Sequence, residues 1–168
     1  MQIEVPGPVP LDPTREFFVD RVRAVGYQVR FRAEEGQRSW CNPVTQTIWL
    51  RATADLDTPS GLALLAHEAV HAVQQTGPWW RRWLWGLRYL ADPFFRENVE
   101  VEAEAWWAAT VIRAKGIQPS RTAAREWAER SHTLGGIRAP HYTIGAPDAI
   151  TTIIAARVLH LLGQSRED

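Results

Sequence analysis

The sequence predicts an α+β fold, with a small N-terminal antiparallel or mixed sheet followed by a mainly helical region that carries a metal site. Three observations predict it. Between residues 27 and 51, short runs rich in β-branched and aromatic residues alternate with turn-formers. From residue 58 onward apolar residues recur at three- and four-residue spacing, with helix punctuation between the segments. The chain has 168 residues, 45% of them hydrophobic, which suits one domain spanning 1–168 with a sizeable core. No repeat, low-complexity tract or linker divides it.

The elements follow in order. Residues 1–11 are proline-rich and read as extended. Asp12 can cap a helix that begins at Pro13, buries Phe17, Phe18, Val22 and Val25, and stops at Gly26. Residues 27–33 read as a strand, 34–37 as its turn and 38–42 as its partner; after Pro43-Val44-Thr45-Gln46, residues 47–51 form a third strand. Thr58 caps the next helix, Pro59 suits its first turn, and Gly77-Pro78 ends it. Further helices are expected at about 79–91, 94–115, 120–131 and 147–163.

The helix after Thr58 contains His67-Glu68-Ala69-Val70-His71. Residues four apart share a helix face, so the two imidazoles can grip one metal ion while Glu68 reaches the water beside it. With five histidines in 168 residues, the pattern arises by chance about 0.01 times per chain. Leu62, Leu65, Ala66, Ala69, Val70 and Val73 form a core stripe, and Leu64, His67, His71 and Gln74 or Gln75 form a neighbouring one. A catalytic zinc site takes three protein ligands and leaves one position for water. Carboxylates at Glu97, Glu100, Glu102 and Glu104 offer the third, with Glu100 and Glu104 on one face and Glu102 turned away. The bland reading of these four acids is a solvated charged face.

These residues resemble the zincin metallopeptidases of the gluzincin type, in which His-Glu-x-x-His on one helix is completed by a Glu from a later helix. The likeness is to small phage- and bacteria-associated minimal gluzincin-like proteins, and it covers roughly residues 58–115. It rests on His67 to Gln75, a Trp/Tyr-rich segment from Trp83 to Leu90, Phe95-Arg96, and Glu100-Val101-Glu102-Ala103. The resemblance implies a zinc cofactor held by His67, His71 and Glu100, with Glu68 as general base, and Glu104 in the place of an acid that orients a ligand histidine. Glu-x-Glu-Ala occurs in two overlapping registers, which leaves Glu102 and Glu104 open as ligands; Glu100 ranks first because the residue four after it is acidic, then Glu102, then Glu104. The implied activity is peptide-bond hydrolysis by a zinc-activated water, on a peptide or protein substrate. A zincin-like sheet also implies an edge strand that pairs with extended substrate, assigned to Ile48 to Arg51. Tyr142 and His141 are candidates for the oxyanion donor, and a loop tyrosine with a surface histidine is an equal reading. His160 reads as a core or boundary histidine on an apolar helix, and His132 carries little signal.

Composition narrows the alternatives. Net charge is zero, from 19 basic and 19 acidic residues, which gives no overall electrostatic case for nucleic acid or an anionic membrane. The single Cys41 excludes an intramolecular disulfide, and as a fourth zinc ligand it would block water. No stretch is apolar enough to span a membrane, and the N-terminus lacks the charged and apolar regions of an export signal, so a cytoplasmic location is expected. Residues 79–90, from Trp79 to Leu90, hold four of the nine tryptophans with Arg81, Arg82 and Arg88. They read as a packing helix beside the metal site, in preference to an amphipathic helix at a membrane surface. The competing function is a non-catalytic or latent metal-binding accessory protein that acts by protein binding. Glu68 distinguishes the two, because a structural zinc site needs no base beside its histidines.

Overall fold

The computed structural model describes the backbone of residues 8–34, 38–134 and 147–163, and side chains over the same segments as far as residue 130 and from residue 148. The described elements run α1 (Arg15–Ala24), β1 (Gln28–Phe31), β2 (Trp40–Asn42), β3 (Thr47–Leu50), α2 (Pro59–Gln74), α3 (Trp79–Ala91), α4 (Pro93–Ala114), α5 (Arg121–Leu134) and α6 (Pro147–Leu161). This is the expected α+β arrangement, a small mixed sheet followed by helices.

Local chemistry explains the element ends. The first helix begins two residues later than Pro13, because Thr14 rather than Asp12 is its cap: extended Thr14 accepts the Phe17 amide at 3.2 Å through its hydroxyl. The chain then turns at Gly26 with φ +81°, a left-handed conformation that only glycine adopts at little cost. Thr58 caps α2 as expected, through the Gly61 amide, and Asp92 caps α4 through Phe95.

The sheet corrects two expectations: the strand at 38–42, read as the partner of 27–33 across a turn, pairs with β3 instead, because β3 lies between them, and the edge assigned to Ile48 to Arg51 is misplaced. The strand order is β1-β3-β2, with β1 parallel and β2 antiparallel to β3, so the strand at 47–50 is central and not an edge. Both of its sides are taken up even at its end: Leu50 O accepts from the Arg32 amide, and the Arg51 amide donates to Ser39 Oγ. Burial agrees, since Thr47, Ile48 and Leu50 are buried while β1 and β2 are largely exposed or half-buried. Alternating burial cannot rank strands in a sheet; pairing on both sides does. The edge facing α2 is therefore β2.

The core lies between sheet and helices. Phe18 of α1 meets Trp106 of α4 edge-on at 6.3 Å, beneath Ile48, Leu50 and Leu65. All six residues of the expected α2 core stripe are buried. α4 runs along α2, and α5 and α6 close its far side. The stripe Ile150, Ile154, Val158 and Leu161 turns α6 inward, which leaves His160 exposed, contrary to its expected core or boundary place.

α3 departs further from expectation. Only Trp85 is buried, stacked on Tyr89 and set against Phe95 and Val99 in a small separate cluster. Trp79, Trp80 and Trp83 are 69%, 47% and 55% exposed, so they do not fill space beside the site. A single helix, α4, supports α3 from below and can cover only one of its faces.

Candidate metal centre

Two helices build the site. Four-residue spacing on α2 places His67 above His71, their rings edge-on with centroids 4.8 Å apart and their Nε2 atoms 3.2 Å apart. From α4, Glu100 presents one carboxylate oxygen 3.6 Å from His67 Nε2 and the other 3.6 Å from His71 Nε2. Zinc bonded tetrahedrally at about 2.0–2.2 Å requires donors roughly 3.3–3.6 Å apart. The two imidazole nitrogens lie close to that spacing, but the two 3.6 Å contacts end on different Glu100 oxygens, so one donor atom from each residue lies within 4.8 Å of the others and the carboxylate must close in to bind the same ion. Among the described residues, His67, His71 and Glu100 form the one cluster of histidine, cysteine or acidic groups arranged to hold a metal.

The neighbouring side chains fix these ligands. The amide oxygen of Gln74 lies 3.1 Å from His71 Nδ1 and so accepts its proton, leaving Nε2 free for a metal; Gln74 Nε2 in turn donates to Val99 O on α4. Glu104, 1% exposed, sets a carboxylate oxygen 3.6 Å from His67 Nδ1, where an acid orienting that histidine belongs. The Tyr89 hydroxyl of α3 donates to Glu100 Oε1.

Direction separates the three acids. Glu102 faces away from the histidines and is gripped by Arg157 of α6 through two bonds of 2.7 and 3.1 Å. Glu100 and Glu104 are buried. The acidic segment is thus no solvated face: one carboxylate joins the metal cluster, one backs a histidine and one pairs with an arginine.

Glu68 has the environment of a base. It is buried, and its Oε2 has no hydrogen-bond partner among the described residues. Burial pushes its carboxyl up to about 7, with His71 opposing and Glu100 reinforcing. Burial alone would lower His71, but the Glu100 carboxylate beside it prevails and raises it to about 9. The same contact outweighs burial at Glu100 and holds it down to about 2, while burial and the neighbouring His71 lower His67 to about 4. The metal-free cluster is a buried imidazolium-carboxylate pair beside a neutral imidazole. An orphaned carboxylate oxygen and two imidazole nitrogens turned toward one carboxylate are what a divalent ion and a polar substrate would satisfy.

Cys41 of β2 lies outside this cluster. Its thiol lies 3.6 Å from Gln75 Oε1, which also accepts from the Tyr27 hydroxyl at 2.9 Å, tying sheet to α2. Burial first and the Glu68 charge second push the thiol well up, which opposes thiolate formation. His141 and Tyr142 lie outside the described residues, as does the side chain of His132.

Gln74 was placed on the histidine face from sequence, as an alternative to Gln75 and without its role; one participant, Tyr89, was not singled out, because its approach to Glu100 depends on how α3 folds back over α4. Compared with protein families, curated proteins and solved structures, the chain matches none of them.

Proposed function

We propose that this chain is a zinc-dependent metallopeptidase of the gluzincin type, acting on a peptide or protein substrate. The observation that carries the reading is the convergence of His67, His71 and Glu100, whose donor atoms lie within 4.8 Å of one another, beside the buried and unpartnered carboxylate oxygen of Glu68. His67 and His71 hold the ion through Nε2 and Glu100 through its carboxylate. When bound, zinc supplies Lewis acidity, polarising the scissile carbonyl and bringing the pKa of water toward ~7.

The protein's own groups do the remaining work. Glu68 takes the proton of the attacking water and returns it to the leaving amine, a role suited to a carboxyl that burial has raised to about 7. Gln74 keeps the His71 imidazole in the tautomer that presents Nε2, and Glu104, 3.6 Å from His67 Nδ1, is placed to do the same for His67 once the gap closes. The His67 and Glu100 side chains retain 15% and 11% exposure, so the cluster meets solvent at its rim. β2, the edge strand facing α2, offers backbone groups to an extended peptide in the role first assigned to the central strand.

Metal analysis paired with cleavage of a quenched-fluorescence peptide library tests the proposal. Wild type should bind one zinc and cleave; Glu68→Gln should keep zinc and lose about 10²–10⁴-fold in rate. His67→Ala and Glu100→Ala should lose the metal. Zinc retained with no cleavage of any library member would favour the non-catalytic accessory protein, and a Glu68→Gln variant as active as wild type would overturn the assigned base.

A further inference from the structure

α3 has its amphipathicity inside out. At 100° per residue, Trp79, Leu90, Trp83, Leu87, Trp80, Ala91 and Leu84 fall in one arc of about 140°. Every one of them is exposed, the large ones by 47% to 75%. The opposite face, with Trp85 and Tyr89, packs on α4. Phe94, in the first turn of α4, is also 64% exposed. A contiguous apolar face of this size on a protein surface marks an interaction site.

Charge selects the occupant. Residues 79–91 contain three arginines and no acid, in a chain whose net charge is zero. Arg82 is turned inward onto Pro43 O and Gly77 O, which pins the helix to the turn between β2 and β3. Arg81 and Arg88 are exposed and follow Leu84 around the helix along one side of the apolar arc; Arg88 shares its charge with the Asp92 carboxylate 3.2 Å away, so the cationic margin rests on Arg81. Arg81 lies over the Trp80 ring, 5.5 Å from its centroid. Tryptophan and leucine flanked by arginine are the composition of a helix lying in the headgroup region, where indole rings settle and arginines meet phosphates. No helix among the described residues is long and apolar enough to cross a membrane, so contact would be from one side. A second copy fits less well, since stacking two such faces brings their cationic margins into one interface.

We infer that α3 is a peripheral membrane-docking helix, which lays its Trp79-to-Leu90 face into the surface of an anionic phospholipid bilayer with Arg81 at the phosphates. Its length, about 20 Å, lies parallel to the surface. The docking is independent of the metal chemistry and is read by lipid binding alone.

The test uses the full chain with vesicles of phosphatidylcholine containing phosphatidylglycerol, and with vesicles of phosphatidylcholine alone. Wild type should sediment with the anionic vesicles, bind pure phosphatidylcholine at least tenfold more weakly, and lose tryptophan fluorescence when the lipid chains are brominated. The variant Trp83→Ser/Leu84→Ser/Leu87→Ser changes only exposed side chains away from the metal cluster. It should lose at least tenfold in vesicle affinity, with helical circular dichroism and zinc content unchanged. Arg81→Glu, a milder change, should weaken anionic binding and leave the weak phosphatidylcholine binding as it was. Absence of vesicle binding at low salt would overturn the inference. So would a triple variant that binds as wild type does, or a dimer that the triple variant dissolves without any vesicle binding by the wild type.

Discussion

His71 and Glu100 illustrate how much a single residue's surroundings decide. Without metal, the Glu100 carboxylate keeps His71 protonated up to about pH 9, and zinc can bind Nε2 only by displacing that proton. Zinc affinity should therefore rise about tenfold per pH unit from neutrality toward pH 9 and level off above it, with about one proton released at pH 7. Calorimetry in buffers of different ionisation enthalpy measures that proton, and a flat profile across this range would contradict the pairing. Tyr89 donates to the same carboxylate from the other side, so Tyr89→Phe should weaken zinc binding by about 10–100-fold without unfolding the chain. The alternatives at 100, 102 and 104 were open in sequence because a two-residue step turns a helix by about 200°, which separates Glu102 from the others but cannot say which side meets α2. Arg157, 55 residues away, shows that Glu102 faces away from α2.

At the scale of elements, α2 was legible almost to the residue, since its cap, its proline, its core stripe and its histidines all agree on one helix. The sheet was legible as three strands but not in their order, which depends on long-range pairing that no local pattern encodes. α3 was legible as a helix and misread in its packing: tryptophan reports apolarity and leaves open whether protein covers it. Two element junctions carry predictions. A side chain at Gly61 would place its Cβ 1.8 Å from Asp55 O, a backbone atom of the loop leading into α2. Gly61→Ala must displace that loop or the first helical turn, and should cost at least about 1–3 kcal/mol in denaturant unfolding. The paired Glu102 and Arg157 join α4 to α6 at a partly buried site. Glu102→Gln should cost about 1–3 kcal/mol while zinc affinity stays near wild type, whereas a substantial loss of zinc would restore Glu102 as a ligand.

Over the whole molecule, the metal cluster sits where α2 and α4 meet, and these helices also carry much of the principal core. Any ion that bridges His67 and His71 to Glu100 therefore ties together the two helices on which the rest of the chain packs. The metal-free site holds three ionisable side chains at short range in a largely buried place, which is costly unless they are satisfied. Zinc bound only by the folded chain should stabilise it by about 2.7 kcal/mol at a free concentration one hundred times Kd. For a domain of this length each kcal/mol moves Tm by roughly 2–4 °C, so a chelator should lower Tm by roughly 5–11 °C. Glu100→Ala should be insensitive to chelator, because its site lacks the third ligand, while Glu68→Gln should respond as wild type does. Calorimetric scans of the three proteins with and without chelator separate a metal that holds the fold from a metal that is merely present: an equal response in wild type and Glu100→Ala would place the ion elsewhere.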